Sequence, residues 1–131
     1  LTVCAFEDRL GQVFRNIITN AESFSPANGQ IVITANRTNR RGGDVIIVTV
    51  DDEGPGIPEV NLESIFQRFY TDRPTAGPDG KAVRLGTNSG LGLSISRQIV
   101  EAAGGELWAE NLHDGNGVVT GARFQARFPA V

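Results

Sequence analysis

Residues 49–58 read TVDDEGPGIP, and the fold turns on how that stretch is taken. Three acids, Asp51, Asp52 and Glu53, follow an apolar run, and Gly54, Pro55, Gly56 and Pro58 come directly after. Adjacent acids suggest a metal site. The glycines and prolines suggest a loop that lets something approach the backbone. The run before it, VIIVTV, is nearly all apolar, as a central strand would be. Upstream, GQIVITANRT alternates at Ile31, Ile33 and Ala35, which predicts a second strand with one buried face, and NRRGG between the two reads as a hairpin turn.

Further out, Leu10, Val13, Phe14, Ile17, Ile18, Ala21 and Phe24 fall on one helical face. A helix is predicted over 8–24, capped by Asp8 and stopped before Pro26. Asn16, Asn20 and Ser23 form a polar stripe beside the apolar one. Any amphipathic helix has a polar side, but two Asn one turn apart, bordering the core, are unusual because Asn is a mediocre helix former. On the C-terminal side, PEVNLESIFQRFY predicts a short helix with Pro58 and Glu59 in its first turn. Residues 71–89 lack apolar periodicity, and so long a loop is expected to be functional or disordered. GLGLSISRQIVEAAGG predicts a helix with Leu91, Ile95, Ile99 and Ala103 on its apolar side, ended by Gly104 and Gly105. ELWAEN and GARFQARFP close the chain as a hairpin around HDGNG.

The order predicts an α+β domain over 1–131. It is a two-layer sandwich in which a mixed, mostly antiparallel sheet is covered on one face by about three helices, its other face covered or polar. At 131 residues, 40% hydrophobic and 21% charged, the composition is that of an ordinary globular domain. A net charge of −3 gives no electrostatic case for nucleic acid. No apolar run reaches the length of a membrane span. The single cysteine, Cys4, excludes an internal disulfide framework, and with one histidine, His113, a zinc or iron–sulfur site is not expected. The first residue is Leu1 rather than Met, so a fragment of something longer is expected.

Three places could carry chemistry. Side-chain amides such as Asn16 and Asn20 can orient phosphates or give Mg²⁺ a neutral oxygen. A fixed Asp at a strand end can accept a hydrogen bond from the exocyclic amine of adenine, where guanine offers a carbonyl. A glycine-rich helix entrance, SGLGLSIS from Ser89, frees N–H groups for an anion. It is neither a Walker loop nor the dinucleotide GxGxxG.

In this order and spacing the three resemble the ATP-binding catalytic domain of sensor histidine kinases, the fold shared with gyrase, Hsp90 and MutL ATPases. RLGQVFRNIITNAESFSP resembles the N box, DDEGPGIP the G1 box, IFQRFY the F box and SGLGLSIS the G2 box. FYTDRP and NSGLGLSISRQIVEAAGG also resemble the alphaproteobacterial envelope- and acid-sensing kinases.

The resemblance implies ATP and Mg²⁺ as cofactors. It implies Asn20 as the metal ligand, Asn16 near the phosphates and Asp52, rather than Asp51, on the adenine amine. Gly54 and Gly56 fall on the adenine side and Gly90 and Gly92 on the phosphate side, with Ile57, Phe69, Leu91 and Leu93 beside them. Residues 71–89 become a lid over ATP. Related hydrolytic ATPases carry Glu where Asn16 stands; Asn is a poor base, which fits phosphoryl transfer to a protein acceptor. That acceptor is a histidine on a separate dimerisation domain, not His113, and a response regulator lies downstream. The whole is expected to be the cytoplasmic part of an inner-membrane sensor kinase. Two positions depart from the family: Ser23 and Phe24 stand where Lys or Arg and Tyr are usual, and Arg15, Lys81 or Arg84 are candidates for the missing charge. A serine kinase of the anti-sigma-factor type and a non-catalytic nucleotide-binding module are the alternatives.

Overall fold

The computed structural model describes residue 3 and residues 5–67 and 92–131. In chain order the elements are α1 (Glu7–Phe24), β1 (Val32–Arg40), β2 (Gly43–Asp51), two single 3₁₀ turns (Glu59–Asn61 and Ser64–Phe66), α2 (Gly92–Ala102), β3 (Glu106–His113) and β4 (Val119–Pro129). The strands form one sheet in the order β1-β2-β4-β3, and all three pairings are antiparallel. The α+β layered architecture with helices on one face is borne out.

One core joins the layers. Val13, Ile17 and Ala21 of α1 pack with Val50 of β2, Leu93 and Val100 of α2, Leu107 of β3 and Phe124 and Phe128 of β4. Phe14 meets Phe128 at 6.5 Å between ring centroids, and Phe66 meets Phe124 edge-on at 6.2 Å, within the range where aromatic pairs attract. The opposite sheet face mixes Ile47 and Trp108 with cross-strand polar pairs. Asp51 and Arg123 pair across β2 and β4, Gln125 donates to Glu110, and Arg127 donates to Glu106 at 2.5 Å.

Several local expectations are corrected. Helix α1 begins at Glu7 with no side-chain cap, so Asp8 lies inside the first turn, where its charge faces the positive end of the helix dipole. The end before Pro26 holds: Ser25 leaves helical geometry at ψ 150°, as a residue preceding proline does. Strand β1 has no buried face. Val32 and Ile33 are 49% and 53% exposed, because β1 is the sheet edge and the buried apolar side chains lie on β2, β4 and β3; Ile31 alone of the expected trio packs against the core. The segment after Pro58 forms two 3₁₀ turns rather than a helix. The chain becomes extended again at Gln67, and this lets the adjacent Ile65 and Phe66 both enter the core. In α2 the buried residues are Leu93, Ser94, Ser96 and Val100. Ile95, Ile99 and Ala103 sit half-buried, because they line a cleft between α2 and the start of α1. Leu91 lies outside the described residues.

Candidate functional site

The loop that follows β2 is built from its own sequence and from β3 and β4 behind it. Asp52 extends the β2–β4 ladder by one bond, its N–H donating to the Ala122 carbonyl at 2.9 Å. Its carboxylate is buried, at 2% exposure, and Oδ1 accepts from the N–H groups of Gly54 (2.9 Å) and Ala122 (3.1 Å). Those two donors fix the carboxylate's orientation. Its neighbours do other work. Asp51 holds Arg123 through both oxygens, at 2.7 and 2.8 Å, and this hydrogen bonding raises the guanidinium above its ordinary range. Glu53 accepts from the Gln30 N–H at 2.6 Å. The three acids therefore point to three different partners, and no cluster of acids, His or Cys suited to a metal exists among the described residues.

Gly54, Gly56 and Ile57 are buried. Gly56 has φ +79°, and a Cβ there would meet Val119 Cγ1 at 2.4 Å and Asn111 Oδ1 at 2.8 Å. Its missing side chain thus answers to a left-handed backbone and to the close approach of β3 and β4. Ile57 and Leu93 are members of the hydrophobic core.

On α1 the two Asn residues differ. Asn20 is 3% exposed, and neither atom of its amide group has a hydrogen-bond partner among the described residues. A buried amide left without partners costs about 1–3 kcal/mol, which sets Asn20 apart from an ordinary helix-face Asn. Its oxygen suits a hard cation such as Mg²⁺. Asn16 is engaged: its Nδ2 donates to the Gly92 carbonyl at 3.3 Å and to Ser96 Oγ at 3.2 Å. Ser96, wholly buried, donates in turn to the Gly92 carbonyl at 2.7 Å. The N box and the first turn of α2 are tied by this three-membered network. Ser23 donates to the Thr19 carbonyl of its own helix at 2.8 Å. Arg15 folds back toward Gly11, away from the Asn20 end of α1.

Three contributors have no role assigned from the sequence. Ser96 is the last residue of SGLGLSIS, where the glycines and not the serine drew the reading. Asn111 looks like a turn-side polar residue, yet it grips the loop at Ile57 from β3. Gly121 did carry a signal, a glycine inside a strand pattern, which marks a close backbone approach. A Cβ there would lie 1.8 Å from the Asp52 carbonyl oxygen. Phe69, Gly90, Leu91, the loop 71–89, Lys81 and Arg84 lie outside the described residues. His113 is the exposed last residue of β3. A cleft of about 880 Å³ opens between Phe6 and Arg9 at the start of α1 and Ile99 and Ala103 at the end of α2. It lies at the opposite end of the helix pair from the Asn16–Gly92 contact.

No helix among the described residues is long and apolar enough to cross a membrane. Comparison with known proteins agrees with this geometry. Residues 5–131 match the family described as histidine kinase-, DNA gyrase B- and HSP90-like ATPase. The chain is 50% identical over 129 residues to the sensor protein ChvG of Rhizobium meliloti, covering 98% of this chain and 21% of that protein. The chain therefore spans about a fifth of that relative's length. Among solved structures it superposes on the mycobacterial sensor histidine kinase MprB with a TM-score of 0.77 at 25% identity, covering 97% of this chain and 74% of that one. It superposes on full-length ShkA in complex with AMPPNP with a TM-score of 0.69 at 30% identity, covering 98% and 23%. The resemblance read from the four boxes is borne out: the chain belongs to the histidine kinase-, DNA gyrase B- and HSP90-like ATPase family.

Proposed function

We propose that residues 1–131 are the catalytic and ATP-binding domain of a sensor histidine kinase, which binds Mg-ATP and passes the γ-phosphoryl group to a histidine on a separate dimerisation domain. The observation that carries this reading is the buried amide of Asn20, which has no hydrogen-bond partner among the described residues. Asn20 would hold Mg²⁺ through its side-chain amide, and the cation would offset phosphate charge. Asp52 accepts from the adenine amine, its carboxylate oriented by the Gly54 and Ala122 N–H groups. Guanine would set a carbonyl oxygen against that carboxylate and is rejected. The first turn of α2, from Gly92, supplies N–H donors and the positive end of a helix dipole for phosphate.

Asn16 supports transfer over hydrolysis. An amide is no general base, and this one is committed to Gly92 and Ser96. The domain therefore positions and neutralises the phosphates, and the nucleophile comes from outside. The ShkA complex with AMPPNP and the naming of ChvG and MprB as sensor proteins support the same reading. In the longer protein it implies, the domain stands on the cytoplasmic side of the inner membrane and acts ahead of a response regulator.

The test is transfer itself. The chain is incubated with γ-labelled ATP, Mg²⁺ and helical partner domains bearing either an acceptor histidine or an acceptor serine. The expected product is an acid-labile, alkali-stable phosphohistidine. Label on serine would favour the anti-sigma-factor type, and nucleotide binding without label on any partner would leave a non-catalytic module.

A further inference from the structure

The loop from Asp52 to Ile57 is held at both ends by one registered pair of the β3–β4 hairpin. Asn111 and Ala122 face each other across that ladder. Ala122 takes the near end of the loop: it accepts the Asp52 N–H and donates to the Asp52 carboxylate. Asn111 takes the far end. Its Oδ1 accepts the Ile57 N–H at 2.7 Å, and its Nδ2 donates to the Ile57 carbonyl at 2.6 Å. One side-chain amide thus replaces the strand partner that Ile57 lacks, satisfying both main-chain groups of a residue only 3% exposed. The fit is close, because Asn111 Oδ1 occupies space that any Cβ at Gly56 would enter.

We propose that Asn111 is a positioning residue for base recognition: by clamping Ile57 it sets where the Gly54–Gly56 wall stands relative to the Asp52 carboxylate, and so sets the preference for adenine. This rests on the assignment of Asp52 to the adenine amine. Asn111 spends both amide atoms on Ile57, so its effect is on the geometry of the loop that separates one base from another. Asp52 keeps its own anchors at Gly54 and Ala122 when Asn111 is changed. What is lost is the fixed distance from that carboxylate to the opposite side of the loop.

The experiment titrates ADP and inosine diphosphate, which has a carbonyl in place of the amine, into the wild-type chain and into Asn111→Ala and Asn111→Ser, with melting temperature followed in parallel. The wild type is expected to prefer ADP by at least about tenfold. Asn111→Ala is expected to bring that ratio to within about threefold of unity while still binding diphosphate, and Asn111→Ser, which keeps one hydrogen-bonding group, to fall between. Equal weakening toward both nucleotides would overturn the inference, as would an unchanged ratio in a folded variant. Failure of both variants to fold would assign Asn111 to stability alone and overturn it too. A wild type that binds neither nucleotide would instead remove the functional reading on which it rests.

Discussion

Asn16 and Ser96 meet across the α1–α2 interface at 3.2 Å, and both reach the Gly92 carbonyl. The consequence concerns the residue that hydrolytic relatives carry. Asn16→Glu would replace the Nδ2 donor with a carboxylate oxygen facing the Gly92 carbonyl. The substitution should destabilise the fold by about 1–3 kcal/mol, the cost of a half-buried polar group left against an acceptor. Chemical denaturation measures it; a Glu variant as stable as wild type would mean that the network does not hold the interface.

Asn20 should behave in the opposite sense. Its amide is buried with neither atom bonded among the described residues, and a buried amide without partners carries a desolvation cost. Asn20→Leu, similar in size and apolar, should leave the apo chain as stable as wild type or up to about 2 kcal/mol more stable. It should also abolish the tightening of nucleotide binding by Mg²⁺. A destabilised apo variant, or one that retains the Mg²⁺ effect, would show that Asn20 serves the fold.

Glycine substitutions separate close approach from mere turn chemistry. Gly121→Ala drives a Cβ to 1.8 Å from the Asp52 carbonyl oxygen, and Gly105→Ala drives one to 2.0 Å from that of Arg127. Both are backbone obstacles, so each variant should lose about 1–3 kcal/mol or more. Gly121→Ala should in addition weaken nucleotide binding, since it displaces Asp52. Gly115→Ala, with nothing within 4 Å, is the control, expected within about 0.5 kcal/mol of wild type.

The pH dependence has one resolved contributor on this side of the molecule. Arg97 grips Glu63 through both guanidinium nitrogens, donates to the Leu107 carbonyl at 3.2 Å and lies 4.4 Å over the Phe66 ring. The Arg97 hydrogen bond holds the Glu63 carboxyl below its ordinary value. A lowered acid stabilises the fold above its unfolded pKa of about 4.3, and the contribution disappears as pH falls through the lower folded value. Glu63 is 75% exposed, so the effect is small. Glu63→Gln should therefore narrow the difference in melting temperature between pH 6 and pH 3, and an unchanged difference would contradict the pairing.

Much of this was legible in the chain. Periodicity from Leu10 to Phe24 placed α1 to within a residue, because one apolar face of 3.6-residue period has no other use. The acids of residues 51–53 look alike in the sequence, yet Asp52 is buried while Asp51 and Glu53 take structural partners. What failed was information that lies between elements. Ile33 alternates like a buried strand residue, but whether an edge is covered depends on where the helices lie. The Ile65–Phe66 segment has helical spacing, and packing against Phe124 overrides it. Asn111 and Ser96 are polar residues whose partners lie 54 and 80 positions away, and no local pattern announces such a contact.

The central claim, that this chain carries an adenine-nucleotide site built on Asp52 and Asn20, is tested most directly by calorimetric titration of AMPPNP in the presence and absence of Mg²⁺, with wild type and Asp52→Asn side by side. The account predicts that wild type binds, more tightly with Mg²⁺. Asp52→Asn should lose at least about 1.5–3 kcal/mol of binding, roughly a tenfold or greater loss of affinity, while keeping its fold. Absence of binding by the wild type, or an Asp52→Asn variant with unchanged affinity, would contradict it.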